Sequence, residues 1–203
     1  MLSGMRARLD NSNDPDRIFN ATGDVAKAAG LIGRKRVMDS APIYDAVSTQ
    51  DTVTMIRSAI RGLVKEADTG LTGELKAAVT REDDYSGPGK PDCDWEDPDA
   101  RVMLVDALAA DGHACLAVLE GRDLVGPAAM AAELLATVLG QDLETDESGR
   151  FVIARRVAKD RVISTVDPDA RHGHKTAARG FDGYKAHIAE DPDSEIITNT
   201  TVT

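Results

Sequence analysis

The sequence predicts an α+β chain: an early strand, a long mainly helical stretch, and a β-rich final third. Three observations carry this. Apolar residues recur at helical spacing through much of 49–149. After Gly149 the texture changes to short β-rich runs. Between these and the N-terminus, Arg36–Tyr44 forms an isolated apolar segment that leaves a basic turn and carries one acid, Asp39.

The elements follow in order. Asp14-Pro15 predicts a helix start, with Asp14 as cap and Pro15 at the first helical position. Ile18, Thr22, Val25, Ala29 and Ile32 supply the stripe, and Gly30 and Gly33 the end. Arg36 to Ser40, continuing through Pro42-Ile43-Tyr44, reads as a short strand with the acid at or near its end. Ser48 or Thr49 can cap a second helix with the stripe Val53, Ile56, Ile60 and Leu63. Arg57, Arg61 and Lys65 line another face, either solvated or touching phosphates.

Arg81–Pro98 reads as a polar loop, and Asp97-Pro98 and Pro127 open two more helices. Asp142–Gly149 is an acidic break. Beyond it, Phe151–Ile153, Val162–Val166, Tyr184–Ile188 and Ile196–Val202 read as strands. Glu190-Asp191-Pro192-Asp193-Ser194 is the turn between the last two. The last strand runs into the chain end, which gives the domain an interrupted look and predicts an open sheet edge.

Composition narrows the class. Hydrophobic residues make up 42% of 203 residues, enough for a packed core, but aromatics are only 3%, so aliphatic side chains must fill it. Cys93 and Cys115 have no metal or redox spacing and fit a reduced, cytoplasmic chain. No run is long and apolar enough for a membrane span, and Met1–Asp10 lacks a signal-peptide core. The net charge of −11 argues against a chain coated in nucleic acid. The charge is uneven, however. Glu82–Asp99 holds eight acids against Lys90, whereas Arg150–His187 holds nine bases against four acids. That reversal fits either solvated faces or a local polyanion site.

Three candidates could carry chemistry. Asp39 at a strand end is a metal ligand, a turn cap or a solvent-facing acid; two-metal phosphoryl transfer would need several such carboxylates. In Arg171-His172-Gly173-His174-Lys175, the two histidines at i, i+2 can share a strand face and bind a transition metal, but no carboxylate lies at close spacing. Phosphate contact or an ordinary exposed basic loop are the other readings. In Gly183-Tyr184-Lys185-Ala186-His187, alternation puts Lys185 and His187 on one strand face. Phosphate-binding glycine loops, Gly-x-Ser-x-Gly elbows and His-Glu-x-x-His zinc helices do not occur.

Three stretches together resemble a known family. They are Met5-Arg6-Ala7-Arg8-Leu9 through Asp14-Pro15-Asp16-Arg17-Ile18-Phe19; Gly33-Arg34-Lys35-Arg36-Val37-Met38-Asp39-Ser40-Ala41-Pro42-Ile43-Tyr44-Asp45-Ala46-Val47; and Asp167-Pro168-Asp169-Ala170-Arg171-His172-Gly173-His174-Lys175 through Gly183-Tyr184-Lys185-Ala186-His187. Their order and wording resemble DDE (Asp-Asp-Glu) transposases of bacterial insertion sequences, the group with an RNase H-like catalytic domain. The resemblance implies a partial RNase H-like mixed sheet interrupted by a large helical insertion. In its terms, 1–33 is a truncated N-terminal helical segment, 34–48 the first core strand, 49–149 the insertion and 150–203 the following strands, incomplete.

It further implies that Asp39 is the family's first catalytic aspartate and a Mg²⁺ ligand, with Ala41 where threonine is common. Arg171, His172, His174, Lys175, Arg179, Lys185 and His187 become DNA contacts. The implied partners are insertion-sequence ends and target DNA, with self-association or mixed assembly with intact transposase, and no membrane. The family's second Asp and its Glu have no matching context before Thr203, so the resemblance implies a fragment. A catalytically dead DNA-binding or regulatory product is a second reading, and an unrelated helical interaction protein a third, which the sheet-like C-terminal third disfavours.

Overall fold

The computed structural model describes residues 11–44, 47–83, 85–176 and 178–203. The chain is an α+β protein with five helices and two sheets among those residues. It divides into two compact units. One combines the residues up to Tyr44 with Lys175–Arg179 and Tyr184–Thr203; the other holds Asp45–His174 and Gly180–Gly183.

The discontinuous unit begins with α1 (Arg17–Ala28). Its start lies two residues beyond the expected one. The Asp14 carbonyl accepts from Arg17 N at 3.4 Å, so Asp14–Arg17 forms a turn leading into the helix. Asp16 holds the cap position without a side-chain bond. Gly30, at φ +73, ends the helix by taking the left-handed conformation that glycine adopts without strain. Strand β1 (Val37–Tyr44) follows, and the unit resumes with β5 (Arg179–Glu190) from Tyr184 onward, then β6 (Ile197–Val202). β5 and β6 are antiparallel, with Ala186 opposite Val202, His187 opposite Thr201 and Ile188 opposite Thr200. The sheet order is β1-β5-β4, where β4 is Arg171–Thr176, and β6 also pairs with β5.

Asp191 organises the β5–β6 turn, as the sequence Glu190–Ser194 suggested. One carboxylate oxygen accepts from the amides of Asp193 and Ser194, both at 3.0 Å, and the other from Gly33 N at 2.7 Å. These donors hold its carboxyl below the usual carboxylate range.

The second unit is built on α2 (Thr52–Glu66), α3 (Thr69–Ala78), α4 (Pro98–Val118) and α5 (Gly126–Asp142). The same device starts three of them. Asp51 accepts from Thr54 N at 3.0 Å, Asp68 from Leu71 N at 2.8 Å and Asp97 from Asp99 N at 2.9 Å. The cap of α2 is therefore Asp51 rather than Ser48 or Thr49. Met55, Ile56, Ile60 and Leu63 of α2 are fully buried with Leu75, Leu108, Leu135 and Val138. Each such side chain contributes about 1.5–3 kcal/mol. Gly112 lets α4 and α5 approach: a Cβ there would stand 3.0 Å from Leu139 Cδ1.

Two expectations fail here for identifiable reasons. The acidic break after α5 contains a strand, β2 (Leu143–Thr145), paired antiparallel with β3 (Phe151–Ile153). Asp146 builds their turn by accepting from Ser148 N at 2.8 Å and Arg150 N at 3.0 Å. Val162–Val166 is not a strand; only Val162 forms a bridge, to Arg171. Side chains take its backbone groups instead. Gln141 binds both N and O of Val162 at 2.9 Å, and Gln50 Oε1 accepts from Thr165 N at 2.9 Å. No helix among the described residues is long and apolar enough to cross a membrane.

Candidate functional site

Asp39 is exposed and lies near the start of β1 (Val37–Tyr44), not at or near its end as expected, because the strand continues through Pro42-Ile43-Tyr44. One of its carboxylate oxygens accepts from the amide of its neighbour Ser40 at 2.8 Å. Ser40 Oγ shares a 2.7 Å hydrogen bond with His187 Nδ1, and His187 Nε2 one of 3.0 Å with Thr203 Oγ1. Because Ser40 and His187 meet, alternation turns Asp39 to the other face of the sheet. Val37, Ile43, Ile188 and Val202, all exposed, share that face by the same alternation and by the β5–β6 register. Asp39 is thus a carboxylate set among open aliphatic side chains.

Lys185 and His187 lie on one face of β5, as their alternation indicated, and that face is opposite Asp39. They cannot contact the same phosphate as Asp39 from there. The backbone of Lys175 belongs to β4, but its side chain lies outside the described residues, as do Met5–Leu9 and Asp45-Ala46. Arg179 is exposed.

In the other unit, the stretch expected as a loop from Arg171 is a strand, β4. Arg171 Nη1 donates to the carbonyls of Pro168 and, at 3.0 Å, Ala170, which holds its guanidinium against its own loop. His172 and His174 share a strand face, and their rings meet edge-on with centroids 4.9 Å apart. The carboxylate that close sequence spacing did not supply comes from β5. Asp182 Oδ1 lies 2.7 Å from His172 Nδ1. Only hairpin pairing of the two strands could have signalled it.

Arg57 is not the exposed phosphate contact its helical spacing allowed. It is buried; Nε donates to Asp83 Oδ2 at 2.6 Å, Nη2 to Asp83 Oδ1 at 2.8 Å, and Nη1 to the carbonyls of Gly87 and Gly89. That fork holds the Asp83 carboxyl below the usual range. Asp111, missed in the sequence, is fully buried and accepts from Thr80 N, Thr80 Oγ1 and Tyr85 Oη at 2.7, 3.0 and 2.6 Å. Burial, with Asp111 nearby, pushes the Cys115 thiol up to about 11, which keeps it in the protonated form at neutral pH and disfavours a nucleophilic role.

Asp39 alone does not make a Mg²⁺ site for phosphoryl transfer, because a metal pair needs several carboxylates. Among the described residues, no group of three or more His, Cys, Asp or Glu side chains is arranged to hold a metal ion. No protein family, curated protein or solved structure matches the chain.

Proposed function

We propose that this chain is part of a DDE-type DNA transposase, bearing its first catalytic aspartate, Asp39, on the first strand of a partial RNase H-like sheet. The observation that carries this reading is that β1 and β5 are neighbours in one sheet. The resemblance singled out the Asp39 segment and Tyr184-Lys185-Ala186-His187 as parts of one catalytic sheet, although a mainly helical stretch separates them in sequence. The open face around Asp39 supports the same reading, since its side chain is exposed and the bond from the Ser40 amide engages one carboxylate oxygen, leaving acceptor capacity for a metal.

The chain's own contribution is one fixed carboxylate and DNA-backbone contacts from the basic residues Arg171, Lys175, Arg179 and Lys185, with His172, His174 and His187 beside them. Among the described residues no group of three or more metal-binding side chains forms, so this reading calls for further carboxylates to join Asp39 at a Mg²⁺ site. Phosphate contacts position DNA without reading its sequence. The incomplete carboxylate set also favours a second reading, a regulatory product that binds DNA and enters mixed assemblies with an intact transposase without cutting.

The test has two arms. The isolated chain should bind duplex DNA weakly, with log affinity falling by about 0.9 per phosphate neutralised for each decade of salt. It should not nick DNA with Mg²⁺ or Mn²⁺. Joined to the catalytic portion of an active DDE transposase, it should cut that element's ends, and Asp39→Asn should abolish cutting while leaving DNA binding intact. A repaired chain that cuts equally well as Asp39→Asn would overturn the assignment of Asp39. Failure of a charge reversal at Arg171, Lys175, Arg179 and Lys185 to weaken binding would overturn the DNA contacts assigned to these residues. Repair without cutting, with inhibition of an intact transposase, would select the second reading.

A further inference from the structure

We propose that His172 and His174 form a binding site for a divalent transition-metal ion of the Zn²⁺ type, with Asp182 as the positioning residue. The inference is independent of the transposase reading and concerns residues other than Asp39 and a different class of metal.

The geometry comes from the β4–β5 hairpin. His172 and His174 sit at i, i+2 on β4, so their side chains leave the same face. Both rings lie over Gly180 of β5: a Cβ built there would stand 3.3 Å from His172 Cε1 and 3.6 Å from His174 Cε1. The missing side chain at 180 gives the two imidazoles a common floor. Their centroids are 4.9 Å apart with ring planes at 88°. Two imidazoles bound to one tetrahedral Zn²⁺ through bonds of about 2.1 Å have centroids roughly 5 Å apart. The pair therefore needs little rearrangement to share an ion.

Asp182 supplies the second element. A carboxylate can only accept, so its 2.7 Å contact with His172 Nδ1 places the ring proton there and leaves the Nε2 lone pair for a metal. This carboxylate–histidine pairing orients metal-binding imidazoles and raises their basicity. Half of the His172 side chain is exposed. It borders a cleft of about 290 Å³ that also includes Thr49, Gln50 and Arg161. Arg161 does not oppose a cation strongly there, because Asp142 engages its guanidinium through two contacts of 2.6 Å. With two protein nitrogens and no third ligating side chain grouped with them among the described residues, water completes the coordination. Neutral imidazoles favour Zn²⁺, Ni²⁺ and Cu²⁺, whereas Mg²⁺ selects oxygen.

The experiment is calorimetric titration of the tag-free chain with ZnCl₂ and, separately, MgCl₂. One Zn²⁺ per chain should bind, and Mg²⁺ should give no heat at the same concentration. His172→Gln and His174→Gln should each abolish or severely weaken Zn²⁺ binding. Asp182→Asn keeps both ligands and should weaken it by about 10-fold or more, with an unchanged thermal melt. His113→Gln and His187→Gln replace the other two histidines and should bind Zn²⁺ as the unaltered chain does. Absence of binding at millimolar Zn²⁺, or binding that survives both His172→Gln and His174→Gln, would overturn the proposal. An Asp182→Asn affinity equal to that of the unaltered chain would overturn the role given to Asp182.

Discussion

The ring of Phe181 fills the space that a side chain at residue 173 would need: a Cβ built on Gly173 would stand 2.5 Å from Phe181 Cζ. Phe181 is buried, so the ring cannot simply swing into solvent. Gly173→Ala should therefore destabilise the hairpin by about 1–3 kcal/mol, the usual cost of overfilling a packed site. Phe181→Leu in the same chain should recover part of that loss. Urea melts of the single and double variants check it; a Gly173→Ala chain as stable as the parent would mean that β4 shifts freely.

Tyr85 and Asp111 form a buried hydroxyl–carboxylate pair. Tyr85→Phe removes one donor from a buried carboxylate and should cost about 1.5–3 kcal/mol in denaturant unfolding. Burial, then the Asp111 hydrogen bond, raises the Tyr85 ionisation far above its ordinary value. A raised value in the fold means stability complete below the unfolded value of about 10 and lost as pH climbs beyond it. Ultraviolet titration should accordingly show Tyr85 ionising only as the chain unfolds, and Tyr85→Phe should remove that part of the alkaline loss.

Arg57 and Asp83 should behave as one unit. Arg57→Met leaves Asp83 without its fork, and Asp83→Asn leaves a buried guanidinium, so each single change should cost more than its half of the pair. The double variant should be less damaged than the sum, with a coupling of about 1–3 kcal/mol. Additive effects in a double-mutant cycle would contradict the geometry.

Asp191 predicts an acid limit for its unit. Donation from Ser194 N, Gly33 N and Asp193 N lowers its folded pKa. A lowered value means that its stabilisation is present above the unfolded value of about 3.9 and disappears as pH falls through the folded value. Thermal melts of the parent and of Asp191→Asn should differ at neutral pH and converge as pH drops below about 4. Curves that stay parallel into strong acid would show that the carboxylate charge is not what matters.

What could be read from the sequence depended on range. Periodicity located α2 and α4, and alternation located β5, because those signals repeat within one element. Asp97 before Pro98 marked a cap for the same reason. The failures involve partners distant in sequence. Val162–Val166 has strand composition, but Gln50 and Gln141 claim its backbone groups. Arg57 sits at surface-like spacing, but a loop folds over it and presents Asp83. The histidine pair was visible at i, i+2, whereas Asp182 joins it only because β4 and β5 pair. Asp39 was legible as a strand acid; its exposed face follows from the Ser40–His187 contact, which no local pattern encodes.

The discontinuity of the first unit has a consequence during synthesis. Tyr184 leaves the ribosome about 140 residues after Tyr44, a wait of roughly 7–30 s at ordinary elongation rates. Throughout that interval β1 has no strand to pair with, and Val37, Met38 and Ile43 are available to any extended segment nearby. Pro42, which cannot donate to a neighbouring strand, and the charge of Asp39 interrupt that stretch and make it a poor template for aggregation. Replacing Pro42 and Asp39 together by valine and asparagine should thus lower the yield of nascent chain that escapes chaperone capture, before any property of the finished fold comes into play.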